Sequence, residues 1–235
     1  MSKPASRPDR SGRTEFSVPQ DRPRVLITGA CRGVGRACAE ALARCGSELI
    51  LSDNDAGVLG DTATELGAVA RFCDVASEAS VAVFAADILE RFPELDMIIN
   101  AAGGGYERTL GMYRVSRALL PALRSGRHNH LLLNIPPSDE DAAAAIFPYA
   151  SSEQAFHRLS AALAAETRGT GIAVLIGDPK TRRVSQVLPD PDAGMLAMTS
   201  DFRRTSSQSI GGLATEVASL VDVRSKDPAR RRRAG

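Results

Sequence analysis

Residues 24–35 read Arg-Val-Leu-Ile-Thr-Gly-Ala-Cys-Arg-Gly-Val-Gly, and this stretch decides the fold. An apolar run at 25–27 runs into a glycine-rich turn, and the turn runs into a helix-like segment at 34–45. Gly29 tolerates the positive φ of a sharp turn. Gly33 lets backbone N–H groups approach a pyrophosphate, and Gly35 removes a Cβ where the helix packs on the strand. Helix N-termini attract phosphate through unpaired N–H groups and the macrodipole. A glycine triplet alone is weak evidence. Between a strand and a helix, with an acid about 20 residues on, it reads as a dinucleotide-binding fingerprint.

The acid is Asp53, which closes a second apolar run at 48–52. A carboxylate at the tip of a parallel strand accepts hydrogen bonds from both ribose hydroxyls and repels a 2′-phosphate. It favours NAD over NADP. Arg32, inside the turn, pulls mildly the other way, since a guanidinium there could reach a phosphate.

Apolar runs continue to alternate with helical patterns. Strands are expected at 24–28, 48–52, 69–73, 96–100, 130–135 and 172–176, with helices at 33–45, 56–66, 77–91, 109–124 and 148–168. Short strand-to-helix links of this kind specify a parallel sheet covered on both faces, a three-layer, doubly wound Rossmann-like α/β fold with ligands at the strand carboxyl ends. Six strands are expected. Residues 181–209, rich in Arg, Ser, Pro and Asp, read as a loop.

The spacing Thr28-Gly29-x-x-x-Gly33-x-Gly35 resembles the T-G-x-x-x-G-x-G of the short-chain dehydrogenase/reductase family. Asp74-Val75 after the third run is similar to the pair that holds the adenine ring in that family. Asn100-Ala101-Ala102-Gly103 is similar to the family's N-N/A-A-G motif, and Leu120-Pro121 and Pro179 fall where it carries Leu-Pro and a post-strand Pro-Gly. The resemblance spans roughly 22–180. It implies a nicotinamide dinucleotide held by Thr28, Gly29, Arg32, Gly33, Val34, Gly35, Asp53, Asp74, Val75, Asn100, Ala101, Gly103 and Pro179. It also implies hydride transfer between NAD(H) and an alcohol or ketone, and a seventh sheet strand that is missing here.

The catalytic half departs from that pattern. The family reaction uses a tyrosine, a lysine four residues later, a serine a dozen residues upstream and an asparagine on the preceding helix. Tyr149 is present. Glu153 holds the lysine position, Pro136 or Pro137 the serine position with Ser138 one step on, and Arg108 the asparagine position. A cation four residues after a tyrosine favours phenolate and a carboxylate disfavours it. At about 6 Å and an effective dielectric of about 20, each charge is worth roughly 3 kcal/mol, so the reversal costs up to about 5 kcal/mol before solvent screening. Catalysis is therefore expected to be weak or lost while nucleotide binding is kept. The alternative is a catalytically inactive nucleotide-binding sensor or the partner subunit of an active homologue. Tyr149 and Ser138 are the candidate catalytic residues. Tyr106, Lys180 and His157 are weaker candidates near the cofactor, beside ordinary surface or packing roles.

Composition fits one α/β domain at 24–223. The chain has 235 residues, 43% hydrophobic and 24% charged, with a net charge of +1. Nothing in that balance attracts nucleic acid or membrane, and no apolar stretch reaches the ~18 residues of a membrane span. Residues 1–23 read as a flexible arm without a signal-peptide core, and 224–235 as a basic tail. A cytoplasmic location is expected. Cys38 and Cys45 are placed on the apolar face of the first helix, Cys73 in a strand and Cys31 in the turn, all as free thiols. No C-x-x-C pair suggests a metal. His128 and His130 read as exposed loop residues. A homodimer, or a heteromer with a related subunit, is expected through Leu119, Leu123, Phe156, Leu159 and Leu163.

Overall fold

A computed structural model describes residues 22–128, 130–136, 149–179, 181–188, 197–199 and 210–225. The elements are β1 (Arg24–Thr28), α1 (Gly33–Arg44), β2 (Glu48–Asp53), α2 (Ala56–Leu66), β3 (Val69–Phe72), α3 (Glu78–Arg91), β4 (Met97–Asn100), α4 (Gly105–Arg124), β5 (Leu131–Asn134), α5 (Tyr149–Glu166), β6 (Ala173–Asp178), β7 (Arg183–Leu188), β8 (Ala197–Thr199) and α6 (Ile210–Ser225). The sheet order is β3-β2-β1-β4-β5-β6-β7-β8. Its first six strands are parallel. The order reverses at β1, between β2 and β4, and that switch point is where such sheets bind ligands.

Side-chain alternation along the strands builds two separate cores. Val25, Ile27, Leu49, Leu51, Met97 and Ile99 face α1 and α6, where Cys38, Leu42, Leu213 and Val217 meet them. Leu26, Ile50, Ile98, Leu132 and Val174 face the other way, onto Val81, Phe84 and Ile88 of α3, Val115 and Leu119 of α4, and Phe156 and Leu163 of α5. Each such Leu, Ile or Phe stabilises the fold by roughly 1.5–3 kcal/mol. Both faces of every central strand are buried, so the strands read as unbroken apolar runs.

The structure corrects several expectations. The sheet has eight strands rather than six. Residues 183–188 and 197–199, expected as loop, form antiparallel β7 and β8. The chain turns back between β6 and β7, with Asp178 opposite Arg183 and Leu175 opposite Gln186. Val184 and Val187 supply the apolar positions of β7, a short alternation hidden among charged and polar neighbours. The fourth helix begins at Gly105, four residues before the sequence expectation, because a glycine triplet lowers helix propensity without forbidding a start.

Leu119, Leu123, Phe156 and Leu163 are 0–1% exposed within the chain's own core. They are consumed by contacts between α4, α5 and the sheet, so they cannot carry a subunit interface. Cys45 is exposed past the end of α1, whereas Cys31, Cys38 and Cys73 are buried. His128 and His130 are half-buried rather than exposed. The ring Nδ1 of His130 lies 2.6 Å from the Leu123 carbonyl, and the His128 amide donates to Asp96. The arm at 1–21 and the tail at 226–235 lie outside the described residues.

Candidate functional site

The site is built at the carboxyl ends of β1, β2 and β4, which lie side by side. Thr28 is in register with Ser52 on one side and Asn100 on the other. Gly29 has φ +66°, and a Cβ there would sit 2.5 Å from the Ala102 amide nitrogen. The turn is thus pressed against the chain leaving β4, and the Ala101 amide donates to the Thr28 carbonyl at 3.1 Å. Gly35 is needed for a different reason from the one expected. Its Cβ would meet the Gly29 carbonyl at 2.1 Å, so the helix closes on its own turn rather than on the strand. Gly33 contrasts with both: φ is +54°, and a Cβ would meet nothing within 4 Å. It faces open space.

Helices α2 and α3 satisfy their own first turns. The Asp55 side chain accepts from the Val58 amide and Ser77 from the Ser80 amide. Helix α1 has no side-chain cap and no acid in its first turn. Its first backbone hydrogen bond runs from Arg36 to Arg32, which leaves the amides of Gly33, Val34 and Gly35 without a protein acceptor among the described residues. Uncapped donors beside open space fit a diphosphate.

Asp53 is fixed next to this turn. Its Oδ2 accepts from the Cys31 amide at 3.1 Å, and its Oδ1 from the amides of Asn54 at 2.8 Å and Asp55 at 3.4 Å. A carboxylate has about four lone-pair sites, so capacity remains for a ribose hydroxyl. Arg32 pairs with Asp55 at 2.8 Å, and the guanidinium is 74% exposed. Such a pair contributes about 0–1 kcal/mol. Asp55 is a residue the sequence reading missed, although a second acid two places after Asp53 was there to be weighed. The Cys31 thiol is pushed up to about 11, first by burial and then by the charge of Asp53; it stays protonated at neutral pH and is no nucleophile.

Asp74 and Val75 follow β3, whose end is tied to β2 by the Cys73 amide donating to the Asp53 carbonyl at 3.1 Å. Asp74 Oδ1 accepts from the Ala76 amide at 3.1 Å. Val75 is 5% exposed. Helix α4 presses on it so closely that a Cβ on Gly111 would lie 2.0 Å from the Val75 carbonyl.

Asn100 is 2% exposed and anchors a polar chain through the core. Its Nδ2 donates to Ser116 Oγ at 2.8 Å and to Asn134 Oδ1 at 2.9 Å. Asn134 donates onward to Ser160 Oγ at 3.2 Å, and Ser116 to the Met112 carbonyl at 2.7 Å. Thr28 reaches Asn100 Oδ1 at 3.5 Å. The chain ties β1, β4 and β5 to α4 and α5, a buried network in which nearly every polar group is matched. Asn134, Ser116 and Ser160 were not foreseen. The available signal was that Asn134 closes its apolar run as Asn100 closes the neighbouring one, and the two are in register.

A narrow, solvent-open cleft lies at the ends of β4 and β5. It is lined by Asn100, Ala102, Gly103, Gly104, Arg108, Thr109, Met112, Ile135 and Phe156. Tyr106 is 46% exposed and is not part of the lining. Glu153 is half-buried on α5, one turn before the lining residue Phe156. His157 packs edge-on against Phe156 at 5.5 Å. Tyr149 opens α5; its side chain, Ser138, Pro137 and Lys180 lie outside the described residues. Pro179 lies in the turn from β6 to antiparallel β7, separated from the glycine turn by β4 and β5.

Sheet order, switch point and uncapped turn define the class of doubly wound α/β folds that bind a nicotinamide dinucleotide. Residues 23–110 match the family model described as short chain dehydrogenase. The chain is 30% identical over 198 residues to a rhamnolipids biosynthesis 3-oxoacyl-(acyl-carrier-protein) reductase of Pseudomonas aeruginosa, covering 72% of this chain and 77% of that protein. It is 28% identical over 196 residues to an L-fucose dehydrogenase of Oryctolagus cuniculus, covering 73% and 69%. Among solved structures, the Pseudomonas aeruginosa RhlG/NADP active-site complex superposes with a TM-score of 0.58 at 29% identity, over 66% of this chain and 69% of that one. The chain belongs to the short-chain dehydrogenase/reductase family, an oxidoreductase family that binds NAD(P).

Proposed function

We propose that this chain binds NAD(H) in preference to NADP(H) and carries out the family's alcohol–ketone hydride transfer weakly or not at all. The observation that carries the binding half is the uncapped first turn of α1 beside Asp53. The amides of Gly33, Val34 and Gly35 would hold the pyrophosphate. Asp53 would accept from the adenosine ribose, and Asp74 would lie at the adenine. Asn100, Ala101 and Gly103 shape the floor beneath the nicotinamide end. When bound, the dinucleotide supplies or accepts the hydride; the chain's own work is to bind and orient it. Arg32 is paired with Asp55, whose amide donates to Asp53, so two carboxylates and one guanidinium share the corner where a 2′-phosphate would sit. That balance supports NAD, although the solved Pseudomonas aeruginosa relative holds NADP.

The catalytic half of the reading rests on residue identity. Glu153 stands where the family's lysine lowers the tyrosine pKa, Pro136 and Pro137 stand at the serine position, and Arg108 replaces the asparagine. Tyr149, with Ser138 as substitute hydroxyl, is left to move a proton without the cation that makes a phenol an effective base near neutral pH. These losses also favour the second reading, an inactive nucleotide-binding sensor or partner subunit in a homodimer or heteromer. Any subunit contact would use surface other than the buried leucines of α4 and α5. We place the protein in the cytoplasm as a single domain over 24–223. Calorimetric titration with NAD, NADH and NADPH tests the reading. Tighter binding of NADH than NADPH supports it, and equal or tighter NADPH binding overturns the cofactor assignment.

A further inference from the structure

We infer that Asp55 helps to set the cofactor preference of this chain, by holding the Arg32 guanidinium away from the 2′-phosphate that it would otherwise bind. This rests on the proposed reading of the glycine turn as a nucleotide site. It adds that the preference for NAD comes from a sequestered arginine as well as from the carboxylate of Asp53.

The corner carries two opposed signals. Asp53 would repel a 2′-phosphate, and Arg32 would attract one. The two are neighbours in space. Asp53 Oδ2 accepts at 3.1 Å from the amide of Cys31, the residue before Arg32. The Arg32 side chain is 74% exposed, so packing does not fix its direction and its partner does. That partner is Asp55, whose Oδ2 accepts from Arg32 Nη2 at 2.8 Å. Arg36, the next arginine along α1, is committed elsewhere, to Glu40, Thr62 and Glu65.

Asp55 is itself held on two sides. It is the N-cap of α2, where its Oδ1 accepts from the Val58 amide at 3.2 Å. Its own amide donates to Asp53 Oδ1 at 3.4 Å. The two carboxylate oxygens therefore have separate tasks, one for the helix and one for the arginine. A fixed acceptor spares the pair part of the side-chain entropy that weakens most exposed ion pairs. Before Arg32 could meet a phosphate this pair would have to open, and Asp55 would stay nearby as an added negative charge. Both effects weaken NADP(H) binding. Neither acts on NAD(H), which has no 2′-phosphate.

Asp55→Asn separates the two tasks. Asparagine caps a helix about as well as aspartate, so α2 keeps its start, while the neutral amide no longer holds the guanidinium by charge. The test is calorimetric titration of the full chain with NADH and with NADPH, for the wild type, Asp55→Asn, Arg32→Gln and the double variant. Asp55→Asn is expected to tighten NADPH binding at least about fivefold, the upper scale of an exposed ion pair. In the Arg32→Gln background the same change should bring no gain, as a double-mutant cycle requires of a coupled pair. Asp55→Ser, another good cap, should reproduce the gain and takes the place of Asp55→Asn if that variant fails to fold by circular dichroism. No gain in NADPH affinity overturns the inference. So does a preference that shifts only through weaker NADH binding. A gain that persists without Arg32 also overturns it, since repulsion by Asp55 alone would then be the cause. Each of these outcomes leaves the nucleotide site standing. No binding of either cofactor by any of the proteins overturns the nucleotide reading, and this inference with it.

Discussion

The turn after β1 and the turn after β5 open at the same edge of one sheet, on strands separated only by β4, yet they offer opposite chemistry. The first presents three amides with no protein acceptor among the described residues, beside Gly33, which leaves room for a ligand. The second leaves Asn134 for Ile135, Pro136 and Pro137, where two prolines remove backbone donors and no hydroxyl stands at the serine position. The Asn100–Asn134 bond at 2.9 Å holds both strand ends in place. The scaffold is thus preserved under both turns, and on the proposed reading only the first keeps the groups its reaction partner needs. Fold and site separate within a single sheet.

The largest expected effects lie in the glycine turn. Gly35→Ala drives a methyl into the Gly29 carbonyl at 2.1 Å, backbone against backbone, and should cost about 3 kcal/mol or more of stability. Gly33→Ala has open space and should cost only the positive-φ strain of about 1–2 kcal/mol, while nucleotide affinity falls about tenfold because the methyl enters the phosphate space. Urea denaturation with NADH titration separates the two. Equal stability losses would break the distinction between a packing glycine and a ligand glycine.

Asn100→Leu probes what joins the halves. It strands Asn134 Oδ1 and the Thr28 hydroxyl in the core, and an unmatched buried group costs about 1–3 kcal/mol. A loss of about 2–3 kcal/mol in urea denaturation is expected, and a loss below about 0.5 kcal/mol would show the network to be dispensable.

These two regions were unequally legible from sequence. The glycine turn, Asp53 and Asn100 act through backbone geometry and strand-end position, which spacing encodes directly. Gly35 was chosen for the right spacing and the wrong neighbour, since a one-dimensional pattern cannot say which backbone a Cβ would strike. Ser116 and Ser160 were hidden because a serine in an apolar helix gives no periodic signal. β7 was hidden because its two buried valines sit among charged residues in a segment of low hydrophobicity. Leu119, Leu123, Phe156 and Leu163 lie in the chain's own core, because helical periodicity marks a buried face without saying whether sheet or subunit covers it.

Asp53→Ala tests the cofactor corner on a smaller scale. Removing one of two carboxylates should narrow the NADH-to-NADPH affinity ratio by about tenfold, or about 1.4 kcal/mol, read by calorimetry. An unchanged ratio would move the discrimination elsewhere.

The smallest effect belongs to the carboxyl-half addition. Glu216 on α6 is 4% exposed, and neither carboxylate oxygen has a hydrogen bond of good geometry among the described residues. Burial raises its pKa above 4.5, opposed by the Val184 amide and the charge of Arg183 on β7. The native state then holds its proton more tightly than the unfolded chain, so this group lowers stability as pH rises upward from about 4.5. Glu216→Gln should raise the thermal midpoint at pH 7, with the gain shrinking toward pH 4.5. A gain independent of pH, or a loss, would contradict that linkage.

The central contrast is most directly tested by one nicotinamide fluorescence experiment. NADH is titrated into the protein, and a panel of ketones and 2-oxo acids is then added to the saturated complex, for the wild type and for Tyr149→Phe. Saturable NADH binding with turnover below about 1 per second, little changed by Tyr149→Phe, is the predicted result. A turnover number within the ordinary enzyme range of roughly 1–1,000 per second, abolished by Tyr149→Phe, would contradict the account and place the chain among the working dehydrogenases.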